Sequence, residues 1–265
     1  MITTLFIFVI LGAFAGVLAG LLGIGGGLVI VPILYFALPP LGVTEGQLMH
    51  VALGTSLATI IFTSISSMRA HNKRGAIRWD IFKTITPGIL IGTFLGSCFA
   101  SYLNTTVLKI IFIVFLYYVA SQMLLGLKPK ASRDIPKKWG MFGAGNIIGG
   151  MSSLVGIGGG TLTVPFLTMC NIQIHTAIGT AAAIGLPIAL AGTAGFVWTG
   201  IGDQGLPEWT IGYVYLPALI GIVSTSMLTA PFGAKLAHSL PVAKLKMIFA
   251  ILLFIVASKM LISLF

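Results

Sequence analysis

Two glycine clusters are the residues whose type and spacing bear most directly on chemistry in this 265-residue chain. Gly23-Ile24-Gly25-Gly26-Gly27 runs into Val31-Pro32, and Gly156-Ile157-Gly158-Gly159-Gly160 runs into Val164-Pro165 with the same spacing. The first-turn N–H groups of a helix have no intrahelical acceptor, and the positive end of its dipole lies beside them, so a glycine-lined helix start suits an anion. The candidate backbone donors are Gly25, Gly26 and Gly27 at the first cluster and Gly158, Gly159 and Gly160 at the second. Hydroxyls complete such a site because they donate to an oxyanion without the cost of burying a charge. By repeat position the candidates are Thr55 and Ser56 in the first half and Thr161 and Thr180 in the second. Small residues also serve plain helix packing, and Thr and Ser back-bond within helices. Two copies of the cluster at the same place in both halves favour an anion site over packing alone.

Other chemistries lack their residues. His50 and His175 are repeat mates near the starts of corresponding segments, which would set them on opposite faces of the membrane and argues against a shared metal site. An interfacial or tip-supporting hydrogen bond is their expected role, with a protonatable gate as the alternative. No other His, Cys, Asp and Glu group has metal-ligand spacing, so no metal and no cofactor are expected. Glu45, Asp80, Asp134, Asp203 and Glu208 all fall at segment ends or in loops, leaving no interior carboxylate for proton or sodium coupling. Cys98 and Cys170 stand in apolar surroundings, outside any C-x-x-C spacing, and read as buried thiols. No G-x-x-x-x-G-K-[ST] sequence is present, so any transport would draw on gradients rather than ATP. Neither a nucleophile–base pair nor a metal set marks an enzyme or assembly factor, and no carboxylate ring marks a cation channel or carrier.

The elements that must position these residues are apolar. Residues of types AVILMFWYC make up 57% of the chain and charged residues 8%, with a mean hydropathy of +1.08. A soluble domain carries about a quarter charged residues, so the chain belongs in a bilayer. Residues 1–22 have no positive leader and too long an apolar run for a signal peptide, and are expected to stay. The net charge of +10 sits mostly in short loops, where it reports orientation and anionic lipid rather than nucleic acid.

Each half contains five apolar segments: 3–22, 26–38, 47–68, 80–102 and 105–126, then 139–155, 160–171, 175–198, 211–234 and 243–264. The repeat extends through His50-x-Ala52-x-Gly54-Thr55 and His175-x-Ala177-x-Gly179-Thr180. The 69–78 loop carries Arg69, His71, Lys73, Arg74 and Arg78, whereas its counterpart 199–210 carries only Asp203 and Glu208; the 101–106 and 235–246 loops show the opposite bias. Corresponding loops therefore face opposite sides. Inversion demands an odd number of crossings per half. Segments 26–38 and 160–171 are short: about 13 residues cover about 20 Å of a core about 30 Å thick. The expected fold is all-α integral membrane, with two inverted-topology repeats, each a glycine-tipped helical hairpin plus three transmembrane helices. The first repeat is 1–127, a basic cytoplasmic linker 128–138, and the second repeat 139–265, with both termini outside the cell membrane. Two tips would then approach the midplane, where transporters of this design bind substrate.

At these residues the chain resembles the sulfite exporter TauE/SafE family of bacterial and archaeal membrane proteins. The resemblance rests on the paired G-x-G-G-G-x-x-x-V-P motifs at Gly23–Pro32 and Gly156–Pro165, the A-x-G-T motifs at Ala52–Thr55 and Ala177–Thr180, and His71-x-x-Arg74-Gly75, and it covers almost the entire chain. It implies an inner-membrane transporter, expected to be an exporter, of a small sulfur-containing anion such as sulfite or an organosulfonate. The expected partners are that anion and membrane lipid, with no nucleic acid; a homo-oligomer is left open. Thr55-Ser56 is matched by Thr180-Ala181, so the two half-sites need not contribute equally.

Overall fold

The computed structural model describes residues 2–22, 26–126, 134–239 and 242–264. Within them the chain is all-α but for one small hairpin. The helices are α1 (Ile2–Leu22), α2 (Gly27–Ala37), α3 (Leu48–Lys73), α4 (Trp79–Tyr102), α5 (Thr105–Leu124), α6 (Lys138–Val155), α7 (Gly160–Met169), α8 (Ile174–Gly200), α9 (Leu216–Ser239) and α10 (Val242–Ile262). Counted over the described residues alone, four of these, α3, α4, α5 and α8, are long and apolar enough to cross a membrane. Their enclosure differs. The apolar windows of α3 and α8 are 78% and 67% buried, against 39% for α4 and 44% for α5, so α3 and α8 form the centre while α4 and α5 keep a face for lipid. All four tryptophans, Trp79, Trp139, Trp198 and Trp209, are exposed and stand at or beyond helix ends, where an aromatic belt meets headgroups.

α2 and α7, at 11 and 10 residues, are too short to span the core, as their sequences require. The arms of each glycine-tipped pair do not pack mainly on each other. α1 packs most extensively on α9, and α6 on α4, while α2 lies against α3 and α7 against α8. Glycine explains the choice: a Cβ on Gly12 would fall 2.6 Å from Ile222 Cα, one on Gly16 2.5 Å from Ser226 Cα, and one on Gly145 2.6 Å from the Ile85 carbonyl. Only backbone can approach that closely.

Two boundaries differ from the sequence expectation. α3 continues to Lys73, so Arg69, His71 and Lys73 lie on its last turns rather than in a loop. Cations there face the negative end of the dipole, and Gly75, with φ of 63°, turns the chain. The segment expected from residue 211 begins instead as a two-stranded antiparallel hairpin, β1 (Thr210–Ile211) and β2 (Val214–Tyr215), and helix starts only at Leu216. Gly212, with φ of 54°, makes the reversal. Pro217 then sits in the first helical turn, where its missing N–H costs nothing.

Candidate functional site

The site is built from the two helix starts. Gly26 precedes α2 with φ 77° and ψ −18°, and Gly159 precedes α7 with φ 73° and ψ −11°, so both helices open from the same left-handed residue. A side chain in that conformation costs about 1–2 kcal/mol, which accounts for glycine at both positions. The Gly26 carbonyl accepts from the N–H groups of Val29 and Ile30 at 3.0 Å each; the Gly159 carbonyl accepts from those of Leu162 and Thr163 at 3.1 and 2.7 Å. At α7 no backbone carbonyl among the described residues accepts the N–H groups of Gly160 and Thr161, as the first turn of a helix requires.

The two tips meet. A Cβ on Gly27 would fall 2.6 Å from the Gly156 carbonyl oxygen and 2.9 Å from Ile157 Cα, so the start of α2 lies directly on the second tip. That tip is shaped by Gly156, whose φ of 66° ends α6: Ile157 N–H bonds the Ser152 carbonyl at 3.1 Å and Gly156 N–H the Ser153 carbonyl at 3.3 Å, the paired bonds of a Schellman turn. Ser56 Oγ on α3 donates to the Gly156 carbonyl at 2.8 Å. Ile60 touches both tips, since Cβ atoms on Gly27 and on Gly158 would each lie 3.1 Å from it.

Among the sequence candidates, Gly26, Gly27, Gly158 and Gly159 are buried at this junction, with Gly160 half-buried beside them. Gly25 lies outside the described residues. Thr161 stands in the first turn of α7, and its Oγ1 is buried without a hydrogen-bond partner. Thr55 and Thr180 hold other ground. Thr55 Oγ1 accepts the backbone N–H of Tyr215 and Thr180 Oγ1 that of Arg78, both at 3.0 Å. The neighbouring glycines match: a Cβ on Gly54 would strike the Tyr213 carbonyl, and one on Gly179 the Ala76 carbonyl. Each threonine thus fastens a loop from the opposite half onto a central helix.

Two site residues were not among the sequence candidates. Ser152 and Thr163 are fully buried, their hydroxyls have no partner, and both oxygens lie 3.5 Å from where a Gly159 Cβ would stand. A signal for them exists in the repeat. Aligning Gly156 on Gly23 pairs Ser152, Thr161 and Thr163 with Ala19, Leu28 and Ile30, so hydroxyls replace apolar residues at three positions of one tip only.

The histidines diverge. His50 is buried at the start of α3, its Nε2 3.2 Å from the Ala100 carbonyl and 3.0 Å from that of Leu103. Two carbonyl partners require the proton on Nε2. Its ring lies 5.1 Å from that of Tyr213, whose hydroxyl donates to Asp203 at 2.6 Å; Gln47 Nε2 donates to the same carboxylate at 2.7 Å. Burial first, then the Asp203 bond, push the Tyr213 phenol well above its ordinary range. His175 is exposed. Among the described residues no group of His, Cys, Asp and Glu is arranged to hold a metal.

Lys109 is the one buried Lys or Arg side chain among the described residues. Its Nζ donates to the Ser263 carbonyl at 2.9 Å and lies 4.9 Å from the Tyr35 ring, beside the far end of α2 from the tip. Two clefts open elsewhere. One of about 300 Å³, walled by Leu28, Pro32, Phe36 and Leu253, is apolar; the other, of about 400 Å³, lies at the 200–212 turn around Asp203. Neither is lined by a glycine of the two tips.

A family model described as Sulfite exporter TauE/SafE matches residues 8–260. A "Probable membrane transporter protein" of Haemophilus influenzae is 41% identical over 262 residues, covering 98% of this chain and 99% of its own length. Proteins with the same description from Methanocaldococcus jannaschii and Bacillus subtilis are 29% and 27% identical, covering 86% and 87% of this chain and 84% and 89% of their own. No solved structure matches the chain.

Proposed function

Because the chain belongs to the sulfite exporter TauE/SafE family, we propose that it exports a small sulfur-containing anion, such as sulfite or an organosulfonate, across the inner membrane by alternating access without ATP. The observation that carries this reading is that the glycine-capped start of α2, at Gly27, lies on the Gly156–Ile157 turn that ends α6 and leads into α7, whose own start at Gly159 has the buried, unpartnered hydroxyls of Ser152 and Thr163 beside it. Helix starts of this kind, buried in protein, are how membrane transporters receive anionic groups.

Alternating access requires two related halves that exchange roles, and the contacts support such a pair. The α1–α9 packing through Gly12 and Gly16 corresponds to the α6–α4 packing through Gly145 and Gly149. The Gly54-Thr55 hold on Tyr213 and Tyr215 corresponds to the Gly179-Thr180 hold on Ala76 and Arg78. With the loop charges, these correspondences favour inverted repeats whose basic loops face the cytoplasm. The two holds then serve as outer and inner closures, one releasing at a time.

The test is counterflow in proteoliposomes with sulfite, thiosulfate, sulfate and small sulfonates, beside matched nickel and cobalt flux. Saturable exchange of at least one sulfur anion, abolished by Gly159→Leu, is expected. Cation flux without anion exchange would overturn the reading.

A further inference from the structure

Ser152 and Thr163 present two buried, unpartnered hydroxyl oxygens beside one helix start, Thr161 carries a third in its first turn, and the matching positions at the other tip, Ala19, Leu28 and Ile30, carry no hydroxyl. We infer that the anion is seated on the α7 side alone, by the hydroxyls of Ser152 and Thr163 and the first N–H groups of α7, and that this seat takes a monovalent oxyanion in preference to a divalent one. The inference rests on the anion-transport reading above and adds which residues hold the charge and which charge they accept.

A hydroxyl withdrawn from water and left without a partner costs about 1–3 kcal/mol. Two such groups, Ser152 and Thr163, set beside the same turn are costly unless something that accepts hydrogen bonds visits them. An oxyanion does so with several oxygens at once. Ser152 and Thr163 are fully buried and lie equally close to the Gly159 position, so the donors approach from α6 and from α7 on either side of the turn.

Charge selection follows from the absence of a cation among the described residues of the seat. Every described Lys and Arg side chain except Lys109 is exposed, and Lys109 is engaged with Ser263 beside Tyr35, eight residues along α2 from Gly27, or about 12 Å of helix. The cost of taking an ion out of water grows with the square of its charge. The attraction to fixed neutral donors and to a helix dipole grows only with its first power. Doubling the charge therefore raises the cost more steeply than the return, and the seat favours the single charge of a sulfonate or of hydrogensulfite over sulfate or the sulfite dianion.

The test measures equilibrium binding to the purified full-length protein in lipid nanodiscs, with methanesulfonate, sulfate and sulfite as probes. Methanesulfonate should bind more than about tenfold tighter than sulfate, equally at about pH 6 and about pH 8, while apparent sulfite affinity falls over that interval as hydrogensulfite loses its proton. Ser152→Ala and Thr163→Val should each weaken methanesulfonate roughly 10- to 150-fold. Thr163→Ser, which keeps the hydroxyl, should restore binding, and Ser153→Ala, whose hydroxyl already donates to the Gly150 carbonyl, should leave it unchanged. Sulfate binding as tight as methanesulfonate, or sulfite binding that strengthens with pH, overturns the charge selection. Wild-type affinity in both Ser152→Ala and Thr163→Val overturns the seat while leaving anion transport standing. Failure of the wild-type protein to bind any of the three anions overturns the transport reading, and this inference with it.

Discussion

Thr55 and Thr180 each offer a hydroxyl oxygen to a main-chain N–H from the other half of the molecule, and both N–H groups belong to chain entering a helix, where no ladder carbonyl is at hand. Replacing either by valine keeps the shape and strands a backbone donor. Thr55→Val and Thr180→Val should therefore each cost about 1–3 kcal/mol, and the serine variants much less, read by thermal or denaturant unfolding of the purified protein without substrate. Unchanged stability in both valine variants would show that the two N–H groups have other acceptors. A pH effect belongs to the same loop. The folded-state pKa of Tyr213 lies above its unfolded value, so the stability contributed by its bond to Asp203 is present below about pH 10 and lost as pH climbs above that. The advantage of wild type over Tyr213→Phe in melting temperature should accordingly shrink on going from neutral to strongly alkaline solution; a constant difference would contradict the assignment. The threonines themselves were legible as repeat mates. Their partners were not, because Tyr215 and Arg78 lie far away in sequence and are brought in by helix packing. Ser152 and Thr163 escaped notice for another reason: scattered hydroxyls in membrane helices usually bond their own backbone, and only the departure from the first repeat distinguishes them.

Helix by helix, the ten apolar segments were readable because length and polarity change together at their ends, and the short α2 and α7 stood out by length alone. The 210–215 hairpin was hidden, since Thr-Ile-Gly-Tyr-Val-Tyr has a composition as suited to a span as to a pair of strands. The partners of α1 and α6 were hidden too. Small residues announce close packing but not the helix that comes close. Gly12 and Gly143 show the difference: a Cβ on Gly12 would collide with the α9 backbone, whereas one on Gly143 would meet nothing within 4 Å. Gly12→Leu and Gly145→Leu should lower folded yield and melting temperature, overpacking alone costing about 1–3 kcal/mol or more, while Gly143→Leu leaves both near wild type. Gly143 is consequently the proper reference when Gly26→Leu and Gly159→Leu are assayed for transport. Equal tolerance of leucine at Gly12 and Gly143 would refute the α1–α9 contact.

At the scale of the whole molecule, orientation in the bilayer follows from charge and aromatic residues at the two ends. Trp79 and Trp139 begin α4 and α6 next to the Arg74, Arg78, Lys137 and Lys138 side chains, whereas Trp198 and Trp209 accompany Asp203 and Glu208. Both tryptophan pairs suit headgroup depth, and only the first keeps company with a cluster of cations, as the proposed cytoplasmic placement of that end requires. The Asp203 loop and the N-terminus should then face outward. Single cysteines at Thr3, Arg74 and Asp203, in a background lacking Cys98 and Cys170, distinguish the arrangements. An impermeant thiol reagent applied to intact cells should label the Thr3 and Asp203 positions and spare the Arg74 position until the membrane is opened. Because Asp203 holds both Gln47 and Tyr213, Gln204→Cys on the neighbouring exposed residue provides a second outward probe that leaves that network in place. Labelling of the Arg74 and Gln204 positions from one and the same side would require corresponding loops of the two halves to lie together, and the inverted arrangement, with the paired closures at Thr55 and Thr180 on opposite faces, would have to be abandoned.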